Sequence, residues 1–311
     1  MPLLARKKIL LAKEETTPGT DAAPTGAANA FVTRNLSITP LAGDTIGRNL
    51  DQAVLGNELQ IQVGQYVQVE FEVEVAGSGA AGTAPKYGTL FKSCGFVETI
   101  NAGVSAVYAP TSTVSNFKTQ TLHFYHDGQR HTVVGARGTF TVDMTPGTIP
   151  AFKFMFMGLY VTPTSVADPA LTLTGWQIPL AVNKTNTPTF SFHATTGPMY
   201  AFTFDLANDL QYQNVVGSES IQLVDRAPVG TIAIEAPAIT SKNWFTTALA
   251  STTSSMQLVH GITAGNIVQF DAPAVEVFSP RYAENAGVST IEMNLAFVPS
   301  SGNDEFTITV K

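Results

Sequence analysis

Val67-Gln-Val-Glu-Phe-Glu-Val-Glu-Val75 alternates apolar and polar residues without a break. Successive side chains of an extended chain point to opposite faces, so Val67, Val69, Phe71, Val73 and Val75 share one face and Gln68, Glu70, Glu72 and Glu74 the other. This is the pattern of an antiparallel strand with one face on a core and one face wet. The same period recurs near residues 139–143, 151–156, 200–204, 230–235, 290–295 and 305–310. Helical spacing is confined to two short stretches, 86–94 and 242–249. The expected fold is all-β, mainly antiparallel sheets with little helix.

The two short helices expose a repeat. An alternating strand, a helix, a hairpin and two more strands follow one another at 67–75, 86–94, 122–128, 139–144 and 151–157. They do so again at 230–236, 242–249, 258–261, 274–278 and 290–297, with Val142-Asp143 placed opposite Val275-Glu276. Two tandem similar domains, each with one short helix, are therefore expected. An N-terminal arm covers 1–30, a first domain 31–165 and a second 166–311, with the boundary in Val161-Thr-Pro-Thr-Ser-Val-Ala-Asp-Pro169. Residues 16–30 are too poor in large apolar side chains to fold alone and are expected to lie across a neighbour. Loop 40–66 is long and partly apolar, the kind of loop that docks on a partner, and 205–228 fills the matching slot.

Composition narrows the function classes. Only 13% of the 311 residues are charged and the mean hydropathy is +0.12, which excludes a disordered chain and fits a protein that hides surface against partners. A net charge of −7 argues against binding nucleic acid by phosphate neutralisation. The first 165 residues hold 12 basic and 12 acidic side chains, the remainder 5 and 12, so the second half carries the acidic excess. The single cysteine, Cys94, permits no internal disulfide, and folding in a reducing compartment is expected. No apolar run is long enough to span a membrane, and the N-terminus, broken by Arg6, Lys7, Lys8 and Lys13, lacks a signal-peptide core.

Catalytic motifs are sparse. His123, His126 and His131 flank one hairpin turn and could be read as metal ligands, but no cysteine or carboxylate shell completes a site, and turn or surface histidines are the plainer reading. Gly77-Ser-Gly79 and Gly82 lack the Lys-Ser/Thr of a phosphate loop and read as an inter-strand link. Cys94, on the apolar side of a helix, reads as a small buried hydrophobe. No catalytic, cofactor or metal site is expected. Glu70, Glu72 and Glu74 are more informative, because three carboxylates on one strand face repel one another. They are either an ordinary solvated sheet face or a wall facing a polyanion that must not stick. Thr139, Thr141, Asp143, Glu235, Glu276, Glu292 and Asn294 occupy polar strand faces that could extend such a wall.

Several runs resemble the tail tube proteins of bacteriophages with long, non-contractile tails. They are Lys8-Ile-Leu-Leu-Ala-Lys-Glu-Glu-Thr-Thr-Pro-Gly-Thr-Asp21, Asn35-Leu-Ser-Ile-Thr-Pro40 with Asp44-Thr45 and Arg48, Phe71-Glu-Val-Glu-Val-Ala-Gly-Ser-Gly79 and Gly82-Thr-Ala-Pro85. Leu90-Phe-Lys-Ser-Cys-Gly-Phe96, Val107-Tyr-Ala-Pro110, Gly135-Ala-Arg-Gly138 and Phe154-Met-Phe-Met-Gly-Leu-Tyr160 continue the series. The resemblance covers residues 6–160; the second half follows it in element order only.

The resemblance implies tail-tube domains with a β-sandwich or barrel-like core and a flanking helix, in a non-enzymatic structural virion protein, assembled in the bacterial host cytoplasm, whose rings stack into a hollow tube for DNA ejection. Single-domain members form hexameric rings, so a two-domain chain would close as a trimer with pseudo-sixfold symmetry. Glu70, Glu72, Glu74, Thr139, Thr141, Asp143, Glu235, Glu276 and Glu292 would line the lumen. Leu41, Asp44, Ile46, Arg48, Leu50, Val54 and Leu55 would stack ring on ring. The implied partners are the chain itself, a tape-measure protein, and terminator and distal tail proteins; DNA passes without specific binding, and neither cofactor nor membrane is involved. A contractile-tail or secretion-system tube would share this physics. The alternative is a secreted two-domain Ig-like adhesion or carbohydrate-binding protein, which would call for a secretion signal or aromatic loops, whereas only Trp176 and Trp244 are present.

Overall fold

The computed structural model describes residues 2–311. The first half forms β1 (Lys8–Glu14), β2 (Ala30–Phe31), β3 (Arg34–Gly47), β4 (Gln60–Glu74), α1 (Gly88–Ser93), β5 (Phe96–Asn101), β6 (Ser105–Pro110), β7 (Gln120–His126), β8 (Gln129–Asp143), β9 (Ala151–Tyr160) and the two-residue β10 (Thr164–Ser165). The second half forms β11 (Thr189–Phe192), β12 (Met199–Asp205), β13 (Asn208–Val215), β14 (Ser218–Arg226), β15 (Val229–Glu235), α2 (Trp244–Leu249), β16 (Ser254–His260), β17 (Val268–Asn285), β18 (Val288–Phe297) and β19 (Thr307–Val310). The fold is antiparallel β with two short helices, as the alternation predicts.

Strand pairing follows the hydrophobic pattern. Val67, Val69, Phe71, Val73 and Val75 of the opening strand are buried; each such side chain contributes about 1.5–3 kcal/mol relative to exposure. Facing them, Phe91 of α1 packs within 5.0–6.0 Å of Phe96, Tyr108, Phe140, Phe152 and Phe154.

One order of pairing occurs twice. The first half runs β1–β7–β8–β9–β4–β3 and the second β11–β16–β17–β18–β15–β12, with the helix in the same place in each. The registers match Val142-Asp143 to Tyr282-Ala283, because Asp143 opposes Ala151 as Ala283 opposes Thr290. The pairing with Val275-Glu276 expected from sequence is therefore shifted; a bulge in β17 between Phe278 and Arg281 hides the true correspondence.

The halves are tied at three levels. β8 pairs with β12, the C-terminal strand β19 lies between β6 and β17, and the glycine link donates from Gly79 N–H to the Gly265 carbonyl at 2.8 Å. A Cβ on Gly77 would collide with the Gly265 carbonyl oxygen, which is why that link is glycine. The apolar core is continuous, with Phe140 next to Phe204 and Phe152 next to Phe270.

Three segments differ from expectation. Within 1–30, expected as an arm across a neighbour, β1 pairs with β7, and residues 16–30 pack on the same chain. The buried Glu15 carboxylate causes this: it accepts from Gly19 N–H, Thr119 Oγ1, Thr121 Oγ1 and Gly135 N–H at 2.7–2.9 Å. Residues 40–66 are a long hairpin extension of β3 and β4, with only 48–59 irregular. The chain after 165 stays on the first half, with Trp176 Nε1 donating to the Ala30 carbonyl at 3.3 Å and Asp168 bound to Lys7 at 2.9 Å.

Candidate functional site: an acidic sheet face

Residues directly opposed in an antiparallel pair point to the same side, so the registers define a face. Glu70, Glu72 and Glu74 oppose Met155, Lys153 and Ala151 of β9; these oppose Thr139, Thr141 and Asp143 of β8. Across the joint Asp143 and Thr141 oppose Thr203 and Asp205 of β12, which oppose Thr231 and Val229 of β15. Glu235 lies further along this side of β15, and β18 adds Glu292 and Asn294. Glu276 and Arg281 complete it on β17.

All nine residues predicted for a lumen thus lie on one face that crosses from β3 to β17. The opposite side of the same strands carries Phe71, Phe154, Phe140, Phe204, Ile232 and Leu295 in the core. A shallow groove of about 390 Å³ indents the face where the halves meet, lined by Arg34, Glu72, Thr141, Asp143, Lys153 and Thr203 among others.

Carboxylates dominate the face, but three are partnered. Arg34 reaches Glu72 at 3.2 Å and Glu74 at 3.6 Å, so the repulsion expected along β4 is relieved by a cation from the adjacent strand. Arg281 holds Glu292 at 2.7 Å. Glu70 accepts from Gln68 Nε2 at 2.8 Å. Glu70, Asp143, Asp205, Glu235 and Glu276 make no ion pair among the described residues, and Lys153 is the third cation on this stretch.

Sequence reading missed Arg34, Lys153, Arg281 and Asp205. Asp205 was accessible, since it continues the Ala201, Thr203 side of an alternating strand. Lys153 was accessible in the same way, within the regular alternation of 151–156, whereas Arg34 and Arg281 were not, because bulges in β3 and β17 reset the local period.

The predicted stacking residues form a second group. Leu41, Asp44 and Ile46 lie on β3, and Arg48, Leu50, Val54 and Leu55 in the tip, all exposed. Val54 is 73% and Leu55 fully exposed, and Leu59, Ile61 and Val63 on the returning strand add to the apolar surface. The matching hairpin β13–β14 lies in part against β8 and β9, while its tip stays exposed, Val216 fully so. There Asn208 Nδ2 donates to the carbonyls of Cys94 and Gly138 at 2.9 Å, and Arg137 donates to the Ile221 carbonyl at 3.0 Å.

The histidines stay apart. His123 projects from the opposite side of β7 to His126 and is bonded to Asp21 at 3.1 Å, while His131 opposes Phe124. The three do not converge on one ion. Burial pushes His123, His193 and His260 below the ordinary histidine range, and Cys94 above the ordinary thiol range.

Against known families, residues 5–309 match the family described as phage tail tube protein. The chain belongs to that family. The match runs through both halves, including the second, where the sequence resemblance had rested on element order. A search of curated proteins finds no match. As a phage tail tube protein, the chain is a structural component of the virion tail that assembles with itself and works alongside other tail proteins.

Proposed function

We propose that this tail tube protein forms trimeric rings, six similar lobes in each, and that the rings stack into a hollow tube whose lumen is the face from β3 to β17. The reading treats the halves as two tandem domains, with the segment after residue 165 lying on the first before the chain enters the second. The observation that carries it is the gathering of Glu70, Asp143, Asp205, Glu235 and Glu276, with the other predicted lumen residues, on one face of a sheet continuous through both halves. A carboxylate wall repels DNA phosphates, so the genome passes without sticking and is delivered into the host.

Exposed apolar side chains on the β3–β4 hairpin, Leu41, Ile46, Leu50, Val54 and Leu55, are covered by other copies. The tube is that of a long non-contractile tail, assembled in the host cytoplasm, with a tape-measure protein setting its length and terminator and distal tail proteins at its ends. Heterologous contacts repeated along an axis give an open filament, which needs such partners to stop it.

Glu70→Lys, Glu235→Lys and Glu276→Lys combined reverse carboxylates that hold no ion pair among the described residues. Tubes should still form, while infectivity falls by about tenfold or more, the scale on which such fields change rates. Unchanged infectivity with these tubes would contradict the lumen assignment.

A further inference from the structure

The joint between the two halves is a template for another. β8 and β12 pair with Asp143 opposite Thr203, Val142 opposite Phe204 and Thr141 opposite Asp205. Val142 and Phe204 are buried there. The chain carries a second version of each side of this joint, and both are open: among the described residues β3 and the last part of β17 are each paired on one side only.

Hydrogen bonding fixes the correspondence without appeal to sequence identity. Val75 N–H donates to the Pro150 carbonyl as Ala236 N–H donates to the Ser289 carbonyl. Counting along the registers from there places Thr231 where Glu70 stands and Thr290 where Ala151 stands. One strand further out, Arg281, Tyr282 and Ala283 take the places of Thr141, Val142 and Asp143. At the other edge Ser37, Ile38 and Thr39 take the places of Thr203, Phe204 and Asp205.

We propose that β17 of one copy pairs antiparallel with β3 of a second copy in this register: Ala283 opposite Ser37, Tyr282 opposite Ile38, Arg281 opposite Thr39. The proposal rests on the ring reading above and specifies its lateral contact. Tyr282, 57% exposed, and the half-buried Ile38 supply the apolar pair that Val142 and Phe204 make internally. The ladder stops on both strands at one level. Pro40, in the place of Leu206, has no N–H to donate, and β17 is broken there by Pro280 and by Ser279 at φ 51°.

The hairpins follow the same rule. β13 covers Thr139, with Asn208 N–H donating to its Oγ1 at 3.2 Å. Phe278 stands in the place of Thr139 and is 39% exposed. The apolar β3–β4 hairpin of the second copy therefore lies over the second half of the first, as a lateral clasp.

Paired cysteines test the register in full-length protein, since Cys94 is buried. After oxidation of assembled rings, Ser37→Cys with Ala283→Cys should give disulfide-linked species up to covalent trimers, and Thr39→Cys with Arg281→Cys should do the same. Thr39→Cys with Ala283→Cys should not, because side chains two residues out of register lie about 7–8 Å apart and a disulfide spans about 3.5–4.5 Å between Cβ atoms. Single-cysteine variants control for folding and assembly. Rings in which only the mismatched pair cross-links, or in which none does, would overturn the joint and leave the ring standing. If the unmodified chain forms neither rings nor tubes, the ring reading and the joint fall together.

Discussion

Glu15 shows how one side chain decides the fate of a segment. Its carboxylate receives four donors from three separate stretches of chain, and so turns residues 16–30 from an arm into a packed part of the first half. Replacing it strands buried Thr hydroxyls and N–H groups at once. Glu15→Ala should lower unfolding stability by about 3 kcal/mol, the range for hydrogen bonds to a charged group, measured by urea denaturation. A loss below about 0.5 kcal/mol would mean the segment is held by its small apolar residues alone. Glu15 was not legible in the sequence, where it looks like one more charge at the end of a strand. Its burial comes from Thr119, Thr121 and Gly135, more than a hundred residues away, and local alternation carries no information about such partners. By contrast Phe71 and Glu70 were legible, since strand geometry alone assigns them to opposite faces.

At the scale of elements, period-two alternation locates most strands and i, i+3, i+4 spacing locates both helices, because each needs only its own side chains to declare a buried face. It does not reveal which strands pair. The placement of β19 between β6 and β17, and the joining of β8 to β12, are long-range choices fixed by shape and register. The hairpin of β3 and β4 lies at this limit too. Its sequence reads as a loop because bulges near residues 39–44 interrupt the alternation, yet the apolar residues singled out there are the exposed ones. Replacing residues 48–59 with an Asn-Gly turn should preserve the hairpin, since that pair suits the two-residue turn. The melting temperature should stay within a few degrees while assembly into tubes is lost. Normal tubes from this variant would show that the tip contributes nothing to contacts between copies.

For the whole molecule, low charge density and positive hydropathy acquire a structural meaning. The core is continuous across both halves, yet large apolar side chains remain exposed on the β3–β4 hairpin and at the end of β17, where one element order leaves its second joint open. The net charge of −7 is likewise not spread at random, because unpaired carboxylates gather on the face predicted to surround DNA. These features converge on a subunit completed only by its own copies. The most direct test is cryo-electron microscopy of tubes assembled from the purified chain, resolved well enough to trace single subunits in cross-section. The account predicts a hollow tube, three chains per ring, six similar lobes, and the face of Glu70, Glu235 and Glu276 turned to the channel. Six chains per ring, or that face turned outward, would contradict it.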